Sequence, residues 1–210
     1  MELRQLRQIE ERYDVLKDSS KFMLKTEFGM MLSSDIIEYE FESAFNEIGL
    51  TANQCAIPIA YKNLCRLHDG FFVQWQYLGM IEKGYPVMGN VKFNPTYSFV
   101  TQNITYEGKR LFLFDDFLDR WKVYMELTGN PDTHTLYYAN FYENKFYPMI
   151  INAGQYIEKA ALCRGLTNWH EFFFEDRNYE SDEGNRIRFG KELDNLFSDV
   201  LFEEFVNIAT

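Results

Sequence analysis

Apolar residues recur along this chain first at three- and four-residue spacing, then at two, then again at three and four. That order predicts helices on either side of a sheet-forming middle. Leu3, Leu6, Ile9, Tyr13 and Leu16 make the seam of a helix expected over residues 2–25. Asp35, with Glu38 three residues on, reads as a capping box for a second helix that buries Ile37, Phe41, Phe45 and Ile48 and ends at Gly49. A third helix starts at Pro58, whose fixed φ suits the first helical position. Its apolar face runs through Ile57, Tyr61, Leu64 and Leu67 or Cys65, and it stops at the turn pair Asp69-Gly70. Period two then sets in: Phe71, Val73, Trp75 and Tyr77 alternate with Gln74 and Gln76, as in a strand covered on one face.

Strands are expected near 71–78, 86–93, 96–101 and 110–114, punctuated by Gly79, Gly84, Gly89 and Pro95 in the manner of a meander. From Asp115 to Leu127 both periods are present. Phe117, Trp121 and Tyr124 have helical spacing, whereas Trp121, Val123 and Met125 alternate, and the stretch stays mixed. Residues 135–142 and 145–150 read as a hairpin around Glu143-Asn144, followed by a helix over 153–163. A last helix, about 187–208, buries Phe189, Leu193, Leu196, Phe197, Val200, Leu201 and Phe205. The fold class expected is α+β, a mainly antiparallel sheet flanked by helices. The chain reads as a single domain over 1–210, its core about 35–175, with helical extensions at 1–30 and 185–210. The acidic piece Glu175 to Gly184 separates the body from the last helix.

Residues 57–70, set between an acidic helix and an aromatic strand, carry a family resemblance. The run of Ile37, Phe41, Glu42, Ile48 and Gly49, then Pro58, Tyr61, Leu64, Asp69 and Gly70, resembles the SUKH superfamily. These are domains related to yeast cell-wall assembly regulators and common as bacterial toxin-immunity proteins. Phe146-Tyr147-Pro148-Met149-Ile150, the helix ending near Arg164-Gly165, and Asn168-Trp169 are similar to the family's closing strand and helix, so that roughly residues 35–175 are covered. The chain departs from the pattern in Asp69, where the family often has Asn, in its middle from 80 to 130, and in long segments at both ends. The resemblance implies a non-enzymatic protein-binding domain that neutralises a cognate toxin. Two other readings stand beside it: a regulatory or scaffold module of the same fold, and a hydrolase or ligand-binding protein.

Charge narrows the partner. A net charge of −11 opposes direct binding to the phosphates of nucleic acid or to an anionic membrane surface, and favours a basic protein such as a nuclease toxin domain. Three cysteines, Cys55, Cys65 and Cys163, cannot all pair within the chain and lack Cys-x-x-Cys spacing, so reduced thiols are expected. The first residues are charged throughout, and no run approaches the 18 or so apolar residues of a membrane span, which together suggest a cytoplasmic protein.

Candidate chemistry is thin. His68, His134 and His170, with Asp69, Asp132 and Glu171 beside them, are of metal-ligand type but lack helical ligand spacing, so neither metal nor cofactor is expected. Cys163 and His170 have the residue types of a thiol–imidazole pair without a spacing that demands contact. No phosphate-cradling loop, dinucleotide turn or nucleophile elbow occurs, and no catalytic residue is assigned. The partner-binding residues expected instead are the acidic groups Asp115, Asp116, Asp119, Glu175, Asp176, Glu180, Asp182 and Glu183, with Trp121 and Tyr179 as aromatic anchors. Phe172, Phe173 and Phe174 lie near them in sequence.

Overall fold

The computed structural model describes residues 3–17, 19–51, 53–79, 86–175 and 183–207. Eight antiparallel strands form one sheet with helices against it, as the α+β expectation requires. Helix α1 (Leu3–Lys17) is followed by β1 (Phe22–Phe28), then α2 (Ser34–Glu47), α3 (Ile59–Leu67), β2 (Phe71–Tyr77) and β3 (Met88–Phe93). Helix α4 (Thr96–Thr101) leads to β4 (Asn103–Tyr106), β5 (Lys109–Leu118), β6 (Trp121–Glu126), β7 (Thr135–Asn140) and β8 (Lys145–Pro148). The chain closes with α5 (Ala153–Leu162), a 3-10 turn (Trp169–Phe173), α6 (Glu183–Leu196) and α7 (Phe202–Val206).

The sheet runs β1-β2-β3-β5-β6-β7-β8. Strand β3 meets β5 at Phe93 and Asp115, while β4 pairs with the first four residues of β5. The main core lies on one face and gathers Tyr13, Phe41, Phe45, Tyr61 and Tyr156 from α1, α2, α3 and α5 over Val73, Trp75, Val91, Phe112 and Phe114 of the strands. A smaller cluster on the opposite face, Leu111, Leu113, Tyr124, Tyr137 and Ala139, is flanked by Tyr106 and Phe146, whose rings stack at 4.1 Å.

The α3–β2 unit forms as its sequence dictates. Pro58 is the N-cap rather than the first helical residue, His68 ends α3, and Gly70 takes a φ of 99° before the strand begins. Alternation holds through β2, with Phe71, Val73 and Trp75 buried and Gln74 exposed. Residues 135–140 and 145–148 pair as the hairpin, with Asn144 in the left-handed region at its turn.

Four expectations are corrected. Helix α1 stops at Lys17, because Phe22, Leu24 and Thr26 alternate with Met23, Lys25 and Glu27 and pair with β2 along its whole length. Residues 96–101 are helix, not strand: the Asp69 carboxylate accepts from the Thr96 N–H at 2.7 Å and its hydroxyl at 2.8 Å, capping α4 from another element. Asp35 and Glu38 do not box α2; Ser33 caps it, accepting from the Ile36 N–H at 3.4 Å. The last helix is broken after Leu196, where Phe197 and Val200 fold inward and the Asp194 carboxylate accepts from the N–H of Phe202 at the start of α7.

Candidate partner-binding surface

Asp115 is fully buried, so it cannot face a partner. Strict alternation would place it on the outer face with Leu111 and Leu113. A bulge intervenes: Leu113 lies opposite Tyr124, yet Asp115 lies opposite Val123, so two residues of β5 face one step of β6. Phe114 and Asp115 both turn toward the helices as a result. One Asp115 oxygen accepts from the Lys92 N–H at 2.8 Å and the other from the Tyr156 hydroxyl at 2.8 Å. Burial raises the Asp115 carboxyl to about 7, against the pull of those hydrogen bonds.

Tyr156 in turn meets Nε2 of His170 at 2.8 Å, so that Asp115, Tyr156 and His170 form one buried polar chain beneath α5. The imidazole stacks between Phe117 (4.4 Å) and Trp169 (4.2 Å), and burial pushes it well below its ordinary range. Its Nδ1 is buried without a partner. All three members of this polar network are buried.

The other predicted residues divide. Asp116 points to the opposite face from Asp115 and is neutralised by Lys122 at 2.6 Å and Lys92 at 2.7 Å. Burial acts upward on its carboxyl, but the lysine hydrogen bonds outweigh it and hold the group low. Asp119 is exposed beside the β5–β6 turn, and Trp121, half-buried, packs 5.0 Å from Tyr142. Glu175 is exposed, its N–H donating to Pro148 O at 2.8 Å. Glu183 opens α6. Asp176, Tyr179, Glu180 and Asp182 lie outside the described residues. Phe173 and Phe174 are buried and Phe172 packs against Phe189 and Phe202, so these three rings belong to the core and its margin.

Each histidine has a local partner. His68 Nε2 meets the Glu10 carboxylate, and His134 Nε2 accepts from the Ala153 N–H at 2.8 Å, capping α5 as a neutral imidazole that burial keeps low. Among the described residues no three His, Cys, Asp or Glu side chains converge as a metal site. Cys163 and His170 are each engaged elsewhere, with the Cys163 thiol directed to Ala160 O and raised by burial to about 12. A cleft of about 290 Å³ opens between β3 and α6. Within it Arg188 pairs with Glu192 at 2.8 Å and Arg186 lies over the Phe172 ring.

Among the described residues, α2 presents a helix surface of one sign. That helix carries Asp35, Glu38, Glu40, Glu42 and Glu47 and no basic residue. Asp35, Glu38, Glu42 and Glu47 are exposed, and of these Glu38 is paired with Lys62 at 2.7 Å. Tyr97 of α4, exposed, donates its hydroxyl to Glu47 at 3.1 Å, adding an aromatic to the same surface. Ile37, Phe41 and Phe45 anchor the opposite side of α2 in the core, which fixes which side the carboxylates face. The sequence signal for this surface was the charge of α2 itself, outside the set of residues expected to bind. Comparisons with family models, curated proteins and solved structures found no match. Among the described residues no helix is long and apolar enough to cross a membrane.

Proposed function

We propose that this chain is a non-enzymatic protein-binding domain of the immunity type, which neutralises a basic toxin domain by covering its active surface. The observation that carries the reading is the outer face of α2, where carboxylates stand exposed on a helix without a single basic residue. A surface of one sign speeds encounter with a partner of the other and rejects polyanions. The SUKH resemblance of the Pro58–Gly70 unit supplies the immunity role, and the strand that follows that unit in the fold is consistent with it. Buried thiols, of which Cys65 and Cys163 are raised to about 12, suit a reducing cytoplasm. A gene for a large multidomain toxin directly upstream identifies the partner. Titration calorimetry with the C-terminal domain of that toxin is expected to show one-to-one binding that weakens as salt rises. Absence of such a neighbour, or binding to its domain that is indifferent to salt, overturns the reading.

A further inference from the structure

The segment joining β1 to α2 is held by its backbone and leaves its two methionine side chains exposed. The Gly29 N–H donates to Gly70 O at 2.7 Å, the Asp69 N–H to Met30 O at 3.0 Å, and the Leu32 N–H to Arg66 O at 3.1 Å. The approach is close enough that a Cβ at Gly29 would sit 1.9 Å from Asp69 O, so only glycine fits there. Leu32 packs against the core, but Met30 and Met31 are 78% and 70% exposed. Through the Ser33 cap the chain enters α2, whose first two turns expose Ile36 (46%) and Tyr39 (68%), three residues apart and so on one face.

Single exposed apolar residues are ordinary. Four within ten positions, on a backbone fixed by three long-range hydrogen bonds and a cap, are not accounted for by chain mobility. Methionine adapts its shape to the side chain it meets, and tyrosine offers ring and hydroxyl together, so both suit a binding anchor. The same helix continues into Glu38, Glu42 and Glu47, which identifies the occupant by charge: a partner that is apolar where it meets the methionines and cationic where it meets the carboxylates. A second copy of this chain is disfavoured, since its own carboxylates would oppose these.

We propose that Met30, Met31, Ile36 and Tyr39 form the apolar anchor of the partner-binding surface and take a basic amphipathic segment, an apolar face flanked by Lys and Arg. This rests on the reading of α2 as the binding face and adds the partner's chemistry. Two synthetic helical peptides of equal positive charge, one of Leu and Lys at amphipathic spacing and one with Ser in place of Leu, test it on full-length protein carrying ¹³C-methyl methionine. The Leu/Lys peptide is expected to shift the Met30 and Met31 methyl signals and to bind at least tenfold more tightly than the Ser/Lys peptide. The Met30→Ser, Met31→Ser variant, which removes no buried group, is expected to erase that preference while leaving the melting temperature within a few degrees. Equal binding of both peptides with unmoved methyl signals overturns the anchor and leaves the electrostatic reading standing. Methyl shifts that depend on protein concentration without peptide overturn it in favour of self-association. Binding of neither peptide overturns it outright, whereas a clear Leu/Lys preference alongside a failed toxin titration retains the anchor and discards the immunity role.

Discussion

Asp115 shows how far one residue's position in a strand can govern its chemistry. Its carboxyl, raised to about 7 in the fold, takes up a proton as pH falls below that value, while the unfolded chain waits until about 4. Between those values the folded state binds more protons, so the Asp115 contribution to stability declines as pH rises from about 4 to 7 and is level above. Asparagine keeps the geometry: its oxygen accepts from the Lys92 N–H, its amide donates to Tyr156, and the Tyr156 hydroxyl then donates to His170 Nε2. Asp115→Asn is therefore expected to gain on the wild type by up to about 1.4 kcal/mol per pH unit across that window and no further above it. His170 works in the opposite sense in both proteins, since the unfolded imidazole protonates below about 6.5 and the buried one resists, so acidification costs stability there. Urea unfolding of the two proteins at pH 4.5, 6 and 8 checks the difference. A gap that does not change with pH would mean that Asp115 keeps one protonation state throughout.

At the scale of elements, what joins the helices to the sheet is a close contact that the hydrophobic pattern does not encode. After α5 the chain turns through Arg164 and Gly165, both at positive φ, and lies on β3: the Asn90 N–H donates to Gly165 O at 2.9 Å and Trp75 Nε1–H to Arg164 O at 2.7 Å. The buried Arg164 side chain reaches outward from there to Arg12 O of α1, to Leu162 O, and to both oxygens of Asp199, with its guanidinium 4.3 Å from the Phe197 ring. Arg164→Ala is expected to cost about 3 kcal/mol, with Lys restoring less than half because one ammonium cannot serve acceptors on three elements. Hydrogen exchange is expected to rise first in α1 and in the segment after Leu196; uniform loosening of the sheet would assign Arg164 a global role instead. The elements themselves were largely legible where one signal dominated, as in α2, α3 and β2. They were misread where a distant group decided. Thr96 to Thr101 alternates like a strand, yet an Asp69 cap and burial of Phe99 against Tyr61 at 4.7 Å make it helix. Periodicity likewise gives no sign of the bulge that turns Asp115 inward, so the acidic triplet read as an exposed binding patch.

For the molecule as a whole, the consequence is that acidic residues clustered in sequence and acidic surface are different sets. Asp115, Asp116 and Asp119 are neighbours in the chain, but one is in the core, one is clamped between two lysines and only the third meets solvent freely. Asp35, Glu42 and Glu47 are spread along α2 and are all exposed. Reversing either triplet to lysine changes the net charge equally, two units per residue, from −11 to −5, so the two variants separate location from total charge. The α2 triplet is expected to fold with a small loss, since Asp35 gives up a favourable place in the first helical turn worth about 0.5 kcal/mol and exposed charges contribute little else. The Asp115 triplet is expected not to fold, because an ammonium would be buried against Tyr156 and a second would face Lys92 and Lys122. Circular dichroism with thermal melting reads both outcomes. In binding, the α2 variant is expected to associate more slowly with a basic partner and to lose most of the salt dependence, because the attraction that added salt screens, down to a Debye length of about 8 Å at physiological ionic strength, has been removed. If that variant associates as fast as the wild type at low salt, negative charge on α2 is not what guides the partner in.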